Sequence, residues 1–278
     1  MKHNHTLHPD FEGYSPNDMH TLLYDIFSEN SPVKLLEMDQ SDCRKVPIFN
    51  QIKYLLKLID EKDELKLTAK GYLPPAVVTD IYNQGHLKES HIESGITKLY
   101  KEIDSITINL TRNLVELSGL VKKRANKLSL TKKAKSLIKK ESDLLHLIFE
   151  VFTLKFNWSY YDGYETEQLG QMGFGFSLIL LSRYGAQKRP DTFYAEKYFK
   201  AFPSFIMESE EPHYESKESH LGRCYSLRTF DRFLSYFGFV KIEFSENISG
   251  HSKIIKTDLF DKFIDCKLPF NPSHHRLH

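Results

Sequence analysis

Leu114-Val115-Glu116-Leu117-Ser118-Gly119-Leu120-Val121-Lys122-Lys123-Arg124, followed by Leu128-Ser129-Leu130-Thr131-Lys132-Lys133-Ala134, is the stretch whose reading decides the fold. Upstream of it, Ile106, Leu110, Leu114 and Leu117 recur at helical spacing, Asp104-Ser105 supplies a break and an N-cap, and Gly119 closes the helix as its C-cap. Leu120-Val121 and Leu128-Ser129-Leu130 bracket a basic segment turning at Ala125-Asn126, which reads as a β-hairpin. Thr131 then caps a helix with Ala134, Leu137 and Ile138 inward. One element further back, Ile92, Ile96, Leu99 and Ile103 predict a helical face of their own.

The same order of signals occurs again near the C-terminus. Tyr236-Phe237-Gly238-Phe239-Val240 parallels Leu117-Ser118-Gly119-Leu120-Val121, and Asp258 to Ile264 behind Thr257 parallels Lys132 to Ile138 behind Thr131. A fainter copy lies in Leu58-Ile59 followed by Leu65-Lys66-Leu67-Thr68-Ala69-Lys70-Gly71. The repeated unit is a helix, a glycine cap, a two-stranded wing and a Thr-capped helix.

These residues resemble the recognition-helix end, wing and following helix of winged-helix proteins of the MarR type. The likeness covers about 45 residues here and about 37 at the C-terminus, and it departs from the family pattern at Ala134, where a glycine is usual. The order Ser-Pro-x-x-Met-His, then Leu-Thr-Ala-Lys-Gly-Tyr-Leu-Pro, then this block is also similar to a loose group of uncharacterised bacterial proteins. Those likenesses imply an architecture and no reaction. In a winged helix, the helix from Ser105 to Ser118 is offered to the major groove. The resemblance therefore implies base or backbone contacts by Thr107, Asn109, Thr111, Arg112 and Asn113, read as outward polar residues.

Charge supports a contact with nucleic acid only when it is followed along the chain. Over all 278 residues, 38 Lys+Arg stand against 37 Asp+Glu, so the formal net charge is +1, which excludes a protein that coats nucleic acid with its whole surface. Residues 122–140 hold nine cations and no acid: Lys122, Lys123, Arg124, Lys127, Lys132, Lys133, Lys135, Lys139 and Lys140. The remaining 29 cations face all 37 acids, a net of −8. Such segregation is what a phosphate-facing patch needs. The C-terminal copy is mixed, with Arg228, Asp231 and Arg232 in its helix and Lys241, Glu243, Glu246, His251 and Lys253 in its wing, and its aromatic content points to packing or dimerisation.

The expected fold class is mainly α with small β-hairpins, an α+β protein of tandem winged-helix-like units joined by a helical, aromatic-rich region. Along the chain this gives an N-terminal arm and docking helix (1–46, with Met19, Leu22, Leu23 and Ile26 on one face) and a helical region with a degenerate unit (47–89). A first winged-helix-like domain (90–141), a helical core region (142–207) and an exposed loop or linker (208–221) follow. A second winged-helix-like unit (222–266) and a tail (267–278) complete it. Within 142–207, helices are expected over Leu144–Phe156, Glu165–Tyr184 and Phe193–Phe202. A further helix is expected over Thr229–Phe237.

Other constellations point to less. His3, His5 and His8 at one end and His274, His275 and His278 at the other lack neighbouring ligands at metal spacing, so neither a metal nor a cofactor is expected. Glu211, His213, Glu215, Glu218 and His220 offer acid-base groups in what reads as a solvated loop. Gly170, Gly173 and Gly175 lack the Gly-Lys-Ser/Thr ending of a phosphate loop and read as close helix packing. Trp158 to Tyr164 reads as aromatic core rather than a stacking platform. No Ser-His-Asp, Cys-His or HExxH arrangement is legible, which ranks an enzyme third. Three separated cysteines, no signal-peptide pattern and no apolar run beyond Phe174–Leu181 point to a cytoplasmic protein without membrane contact. Two functions stay open ahead of an enzyme: regulatory DNA binding through the basic wing, and an adaptor that binds protein or its own copy.

Overall fold

Pro16 and Pro47 each open a helix, because the fixed φ of proline suits the first helical turn and its missing N–H has no partner there anyway. The computed structural model of the chain describes residues 6–245 and 250–269. It is 52% helix and 10% strand, with small antiparallel sheets, a mainly α protein of the α+β class. No described helix is long and apolar enough to cross a membrane. The chain divides into two units, Glu37–Asn157 and Met1–Leu36 with Trp158–His278. His3, His5, Glu246, His274, His275 and His278, named above, lie outside the described residues.

The chain starts with α1 (Pro16–Tyr24) and β1 (Val33–Leu35), which belong to the split unit. The continuous unit then runs α2 (Gln40–Cys43), α3 (Pro47–Glu61), β2 (Leu65–Lys66), α4 (Pro75–Asn83), α5 (Ser90–Glu93), α6 (Ile106–Leu117), β3 (Val121–Arg124), β4 (Lys127–Leu130), α7 (Lys132–Leu137) and α8 (Glu141–Leu154). Ile48, Ile52, Leu55, Leu56 and Ile59 of α3 are buried, each contributing about 1.5–3 kcal/mol by leaving water. The buried amide of Gln51 among them donates to Thr107 O (3.1 Å) and Thr111 Oγ1 (2.8 Å), tying α3 to α6. β2, β4 and β3 form one antiparallel sheet in that spatial order. Its hairpin turns at Ala125 (φ 47°) and Asn126 (φ 58°), the double left-handed conformation of a two-residue turn whose twist matches the strands.

The rest of the split unit holds α9 (Phe174–Tyr184), β5 (Arg189–Pro190), α10 (Asp191–Ala201), α11 (Ser204–Glu208), α12 (Lys217–Ser226) running into a π-helical stretch (Leu227–Leu234), β6 (Val240–Glu243), β7 (Lys253–Lys256), α13 (Asp258–Phe263) and β8 (Ile264–Cys266). β8 pairs with β1, and the other sheet has the order β5-β7-β6. Both units therefore repeat a helix, a strand, three helices and a hairpin, with that strand paired to the hairpin's second strand. The repeat extends to hydrogen bonds. Leu120 N donates to Val115 O and Phe239 N to Leu234 O, so each helix ends on a left-handed glycine, Gly119 or Gly238. Thr131 Oγ1 donates to Gly119 O (2.9 Å) and Thr257 Oγ1 to Gly238 O (2.7 Å), clamping the far end of each hairpin to the helix cap. Thr131 also accepts from Ala134 N, whereas Thr257 makes no side-chain cap bond, contrary to the capping role expected for it.

Three element boundaries differ from expectation. The face of Ile92, Ile96, Leu99 and Ile103 is no helix: α5 ends at Glu93, Gly95 turns the chain at φ +76°, and Ile96 and Ile103 are exposed. The helix expected from Glu165 starts only at Phe174, because Gly170 and Gly173 both adopt positive φ. Part of the loop expected over 208–221 is helical from Lys217, with Ser216 as N-cap accepting from Ser219 N. The helix expected from Thr229 is the continuation of that same element. Close packing does explain Gly175, where a Cβ would stand 2.4 Å from Ile26 Cδ1 of the segment after α1.

Candidate nucleic-acid interface

Side chains alternate across a strand, and partners in register point the same way. Leu65, Val121, Leu128 and Leu130 are buried, so one face of the β2-β4-β3 sheet is its inner face. The opposite set, Lys66, Lys122, Arg124, Lys127 and Ser129, forms the outer face, and the four cations on it are exposed. Register puts Lys66 opposite Lys127 and Lys127 opposite Arg124, three cations in a single row. Like charges placed directly opposite cost stability, so this row is not there to hold the sheet together. One acid offsets it: Lys127 Nζ donates to Glu64 Oε2 (2.6 Å), and that hydrogen bond holds the Glu64 carboxyl below its usual range.

Lys123 lies on the inner side, where its ammonium reaches Gly71 O at 3.5 Å. Beyond the sheet, Lys132, Lys133 and Lys135 of α7 are exposed around buried Ala134, and Lys139 and Lys140 are exposed after it. Lys133 Nζ donates to Ser118 O (3.0 Å) and Lys140 pairs with Asp143 at 3.7 Å. All nine cations of the segment are thus exposed, while Leu128, Leu130 and Ala134 between them are buried.

The helix expected to face a groove is placed otherwise. Thr107, Asn109 and Thr111 of α6 are buried, which corrects their reading as outward residues. Two carboxylates consume its polar groups. Glu89 accepts from Ile106 N (3.0 Å), Thr107 N (3.2 Å), Thr107 Oγ1 (2.9 Å) and the Ser105 hydroxyl, so the start of the helix already holds an anion. Glu102, fully buried, accepts from Leu73 N (2.6 Å), Asn109 Nδ2 (2.5 Å) and Arg112 Nε (2.6 Å). Arg112 reaches Glu116 as well (2.5 Å); burial alone would lower its pKa, but the bonds and charges of Glu102 and Glu116 together raise it. Asn113 Nδ2 donates to Asn109 Oδ1 at 3.2 Å. What α6 leaves accessible is an edge of Ile106, Arg112, Asn113, Glu116 and Leu117.

Pattern reading missed Lys66, Glu89 and Glu102. The alternation Glu64-Leu65-Lys66-Leu67 carries the signal for Lys66. Glu89 and Glu102 lie 17 and 10 residues before the groups they bind, with no local pattern to announce them.

The second unit has the same scaffold and a different surface. Its outer sheet face holds Pro190, Lys241, Glu243, Lys253 and Ile255; Glu243 stands opposite Lys253 in register and forms an ion pair with Lys188. Arg228 in its helix is wholly buried: it donates to both oxygens of Asp162 (2.9 and 2.8 Å) and to the carbonyls of Thr166, Glu167 and Leu169. Asp231, one turn on, is desolvated and faces the charge of Asp191, which pushes its carboxyl up to about 7. Glu215, His220 and Arg223 do come together, with His220 Nδ1 2.9 Å from Glu215; burial favours a raised Glu215 pKa, but the bonds from His220 and Ser219 and the charge of Arg223 together lower it. The thiols of Cys43 and Cys224 are buried, and burial pushes them up to about 11 and about 12. Among the described residues, no three His, Cys, Asp or Glu side chains are grouped to hold a metal ion.

Comparison with known proteins adds one likeness. The family model described as the Y4jL N-terminal domain matches residues 44–143, which run from the end of α2 through α3, the basic sheet and α7 into α8. No curated protein and no solved structure matches the chain. Over that third of its length, the chain is similar to the Y4jL N-terminal domain family.

Proposed function

We propose that this chain is a non-catalytic DNA-binding protein whose contact surface is the outer face of the β2-β4-β3 sheet together with α7. The observation that carries the reading is the row Lys66, Lys127 and Arg124, with Lys122 beside it: exposed cations held side by side at a cost to the sheet. An anionic polymer neutralises such a row and releases its own counterions in doing so. A capped helix leading into a two-stranded hairpin that a preceding short strand joins on its second strand supports a winged-helix reading of both units, and the basic hairpin is then the wing of the first. A regulatory role in a bacterial cytoplasm, with all three cysteines as thiols, belongs to the same proposal.

Titrating a labelled duplex with the protein at several salt concentrations tests it. The expected result is measurable affinity at low salt that falls steeply as salt rises. No binding at low salt, or binding indifferent to Lys122→Glu with Arg124→Glu, rejects it.

A second reading rests on a different observation. Ile96 (82% exposed), Tyr100 (65%) and Ile103 (53%) in the segment before α6, with Leu117 at its end, offer apolar side chains to solvent. An adaptor that docks protein or its own copy there predicts a stable oligomer or a co-purifying partner. A strictly monomeric protein by light scattering counts against it.

A further inference from the structure

A wing and a recognition helix do different work: backbone contacts position a protein on DNA, while base-edge contacts read sequence. In this chain the two are separated by what is already bonded. Every polar side chain of the first two turns of α6 is engaged within the fold: Thr107 with Glu89, Asn109 with Glu102, Thr111 with Gln51 and Thr107 O, and Arg112 with Glu102 and Glu116. The amide groups at the start of the helix, where a phosphate would otherwise dock, are capped by Glu89. The accessible edge of α6 carries an anion, Glu116, two apolar residues, Ile106 and Leu117, and two polar groups bonded within the fold, Arg112 to Glu102 and Glu116 and Asn113 Nδ2 to Asn109 Oδ1. At the wing tip Asn126 Nδ2 donates to Thr68 O (2.6 Å), so that amide is spent as well.

Resting on the DNA-binding reading, we infer that the first unit binds the phosphate backbone of duplex DNA through its sheet face and α7, without reading bases through α6. The groups left to meet DNA are ammonium ions, which act as point charges, and the single guanidinium of Arg124. The outer face favours a duplex over a single strand, because Lys66, Lys122, Arg124, Lys127 and Ser129 include no aromatic side chain on which unpaired bases could stack. Some four to six phosphates, met by part of the seven exposed cations on the outer sheet face and α7, give a slope of about −4 to −5 in log K against log salt.

The experiment measures fluorescence anisotropy of the full chain with labelled duplexes of equal length and unrelated sequence, and with one of their single strands, over a salt series. Expected are affinities within about threefold across the duplexes, a slope of about −4 to −5, and weaker binding of the single strand. The triple variant Lys122→Glu, Arg124→Glu and Lys135→Glu should lose about 100-fold or more at low salt. Asn113→Ala, with an unchanged melting temperature, should bind as the parent does. No binding of any duplex rejects the DNA-binding reading itself. Binding that discriminates sequences by more than tenfold, a large loss in Asn113→Ala, or tighter binding of the single strand leaves that reading standing and overturns the inference.

Discussion

The two hairpins of this protein are built by the same bonds and dressed for different purposes. In each, a left-handed glycine closes the preceding helix and a threonine hydroxyl ties the outgoing strand back to that glycine, Thr131 to Gly119 and Thr257 to Gly238. In each, a short strand from upstream, β2 or β5, joins the hairpin on its second strand. The outer faces then diverge: Lys66, Lys122, Arg124 and Lys127 in the first, and a balanced Lys241, Glu243 and Lys253 in the second, where Glu243 also binds Lys188. Scaffold bonds are backbone-like and persist whatever the surface carries, so the repeat lies in the architecture and the difference in outward charge.

The helices before the hairpins make the comparison sharper, since each is locked by a buried arginine. Arg228 is fully buried and satisfied by Asp162 and three carbonyls, while Arg112 retains a little exposure beside Glu102. Removing one partner of a buried pair strands the other charge, so Arg228→Ala should lower stability by about 3–5 kcal/mol and Arg112→Ala by less. Urea unfolding followed by circular dichroism measures both. Equal losses would show that the second lock is no tighter than the first.

Exchanging surface charge tests the other half of the contrast. Reversing Lys122, Arg124 and Lys127 to Glu should weaken duplex binding about 100-fold at low salt, whereas Lys241→Glu with Lys253→Glu should change it less than about threefold. Comparable losses from both hairpins would assign DNA contact to the two units alike.

Titration separates the units next. Asp231 has a folded pKa of about 7, raised by burial and by Asp191, well above the usual carboxylate range. A raised acid binds its proton more tightly when folded, so its stabilising effect is complete below about pH 4 and is lost as pH rises through about 7. Asp231→Asn should remove roughly 2 kcal/mol of that fall between pH 5 and 8, read from unfolding midpoints over the pH range. In the continuous unit Asp39 and Glu64 are both lowered, and a pH dependence unchanged by Asp231→Asn would contradict this placement.

The smallest effect is on what the units share. Gly119→Ala and Gly238→Ala force a Cβ into left-handed backbone at φ 68° and 72°, and each should cost about 1 kcal/mol. Unequal costs, measured by thermal unfolding, would show that the two caps are not equivalent.

Much of this architecture was legible in local pattern. Pro47 with the apolar spacing of α3, Ser105 as N-cap, Gly119 as helix end, Ala125-Asn126 as turn and Thr131 as the next cap all lie within a few residues of the elements they shape. The basic segment was legible for the same reason, because a run of charge with no acid in it has nothing nearby to pair with. Local pattern failed where a partner comes from elsewhere. The helical spacing of Ile92 to Ile103 lost to a turn at Gly95, and Arg228 finds Asp162 sixty-six residues away.

By itself, then, the sequence determined α3, α6, the basic hairpin with its caps at Gly119 and Thr131, and the segregation of nine cations, since each is decided by propensity, periodicity or charge over a short span. Only the tertiary structure decided which polar residues remain for a partner. Thr107, Asn109 and Arg112 are polar groups on the helix that the winged-helix resemblance turns outward. Glu89 and Glu102 fold over that helix and bind them, because a buried carboxylate is stable only with its hydrogen bonds made, and those donors were within reach.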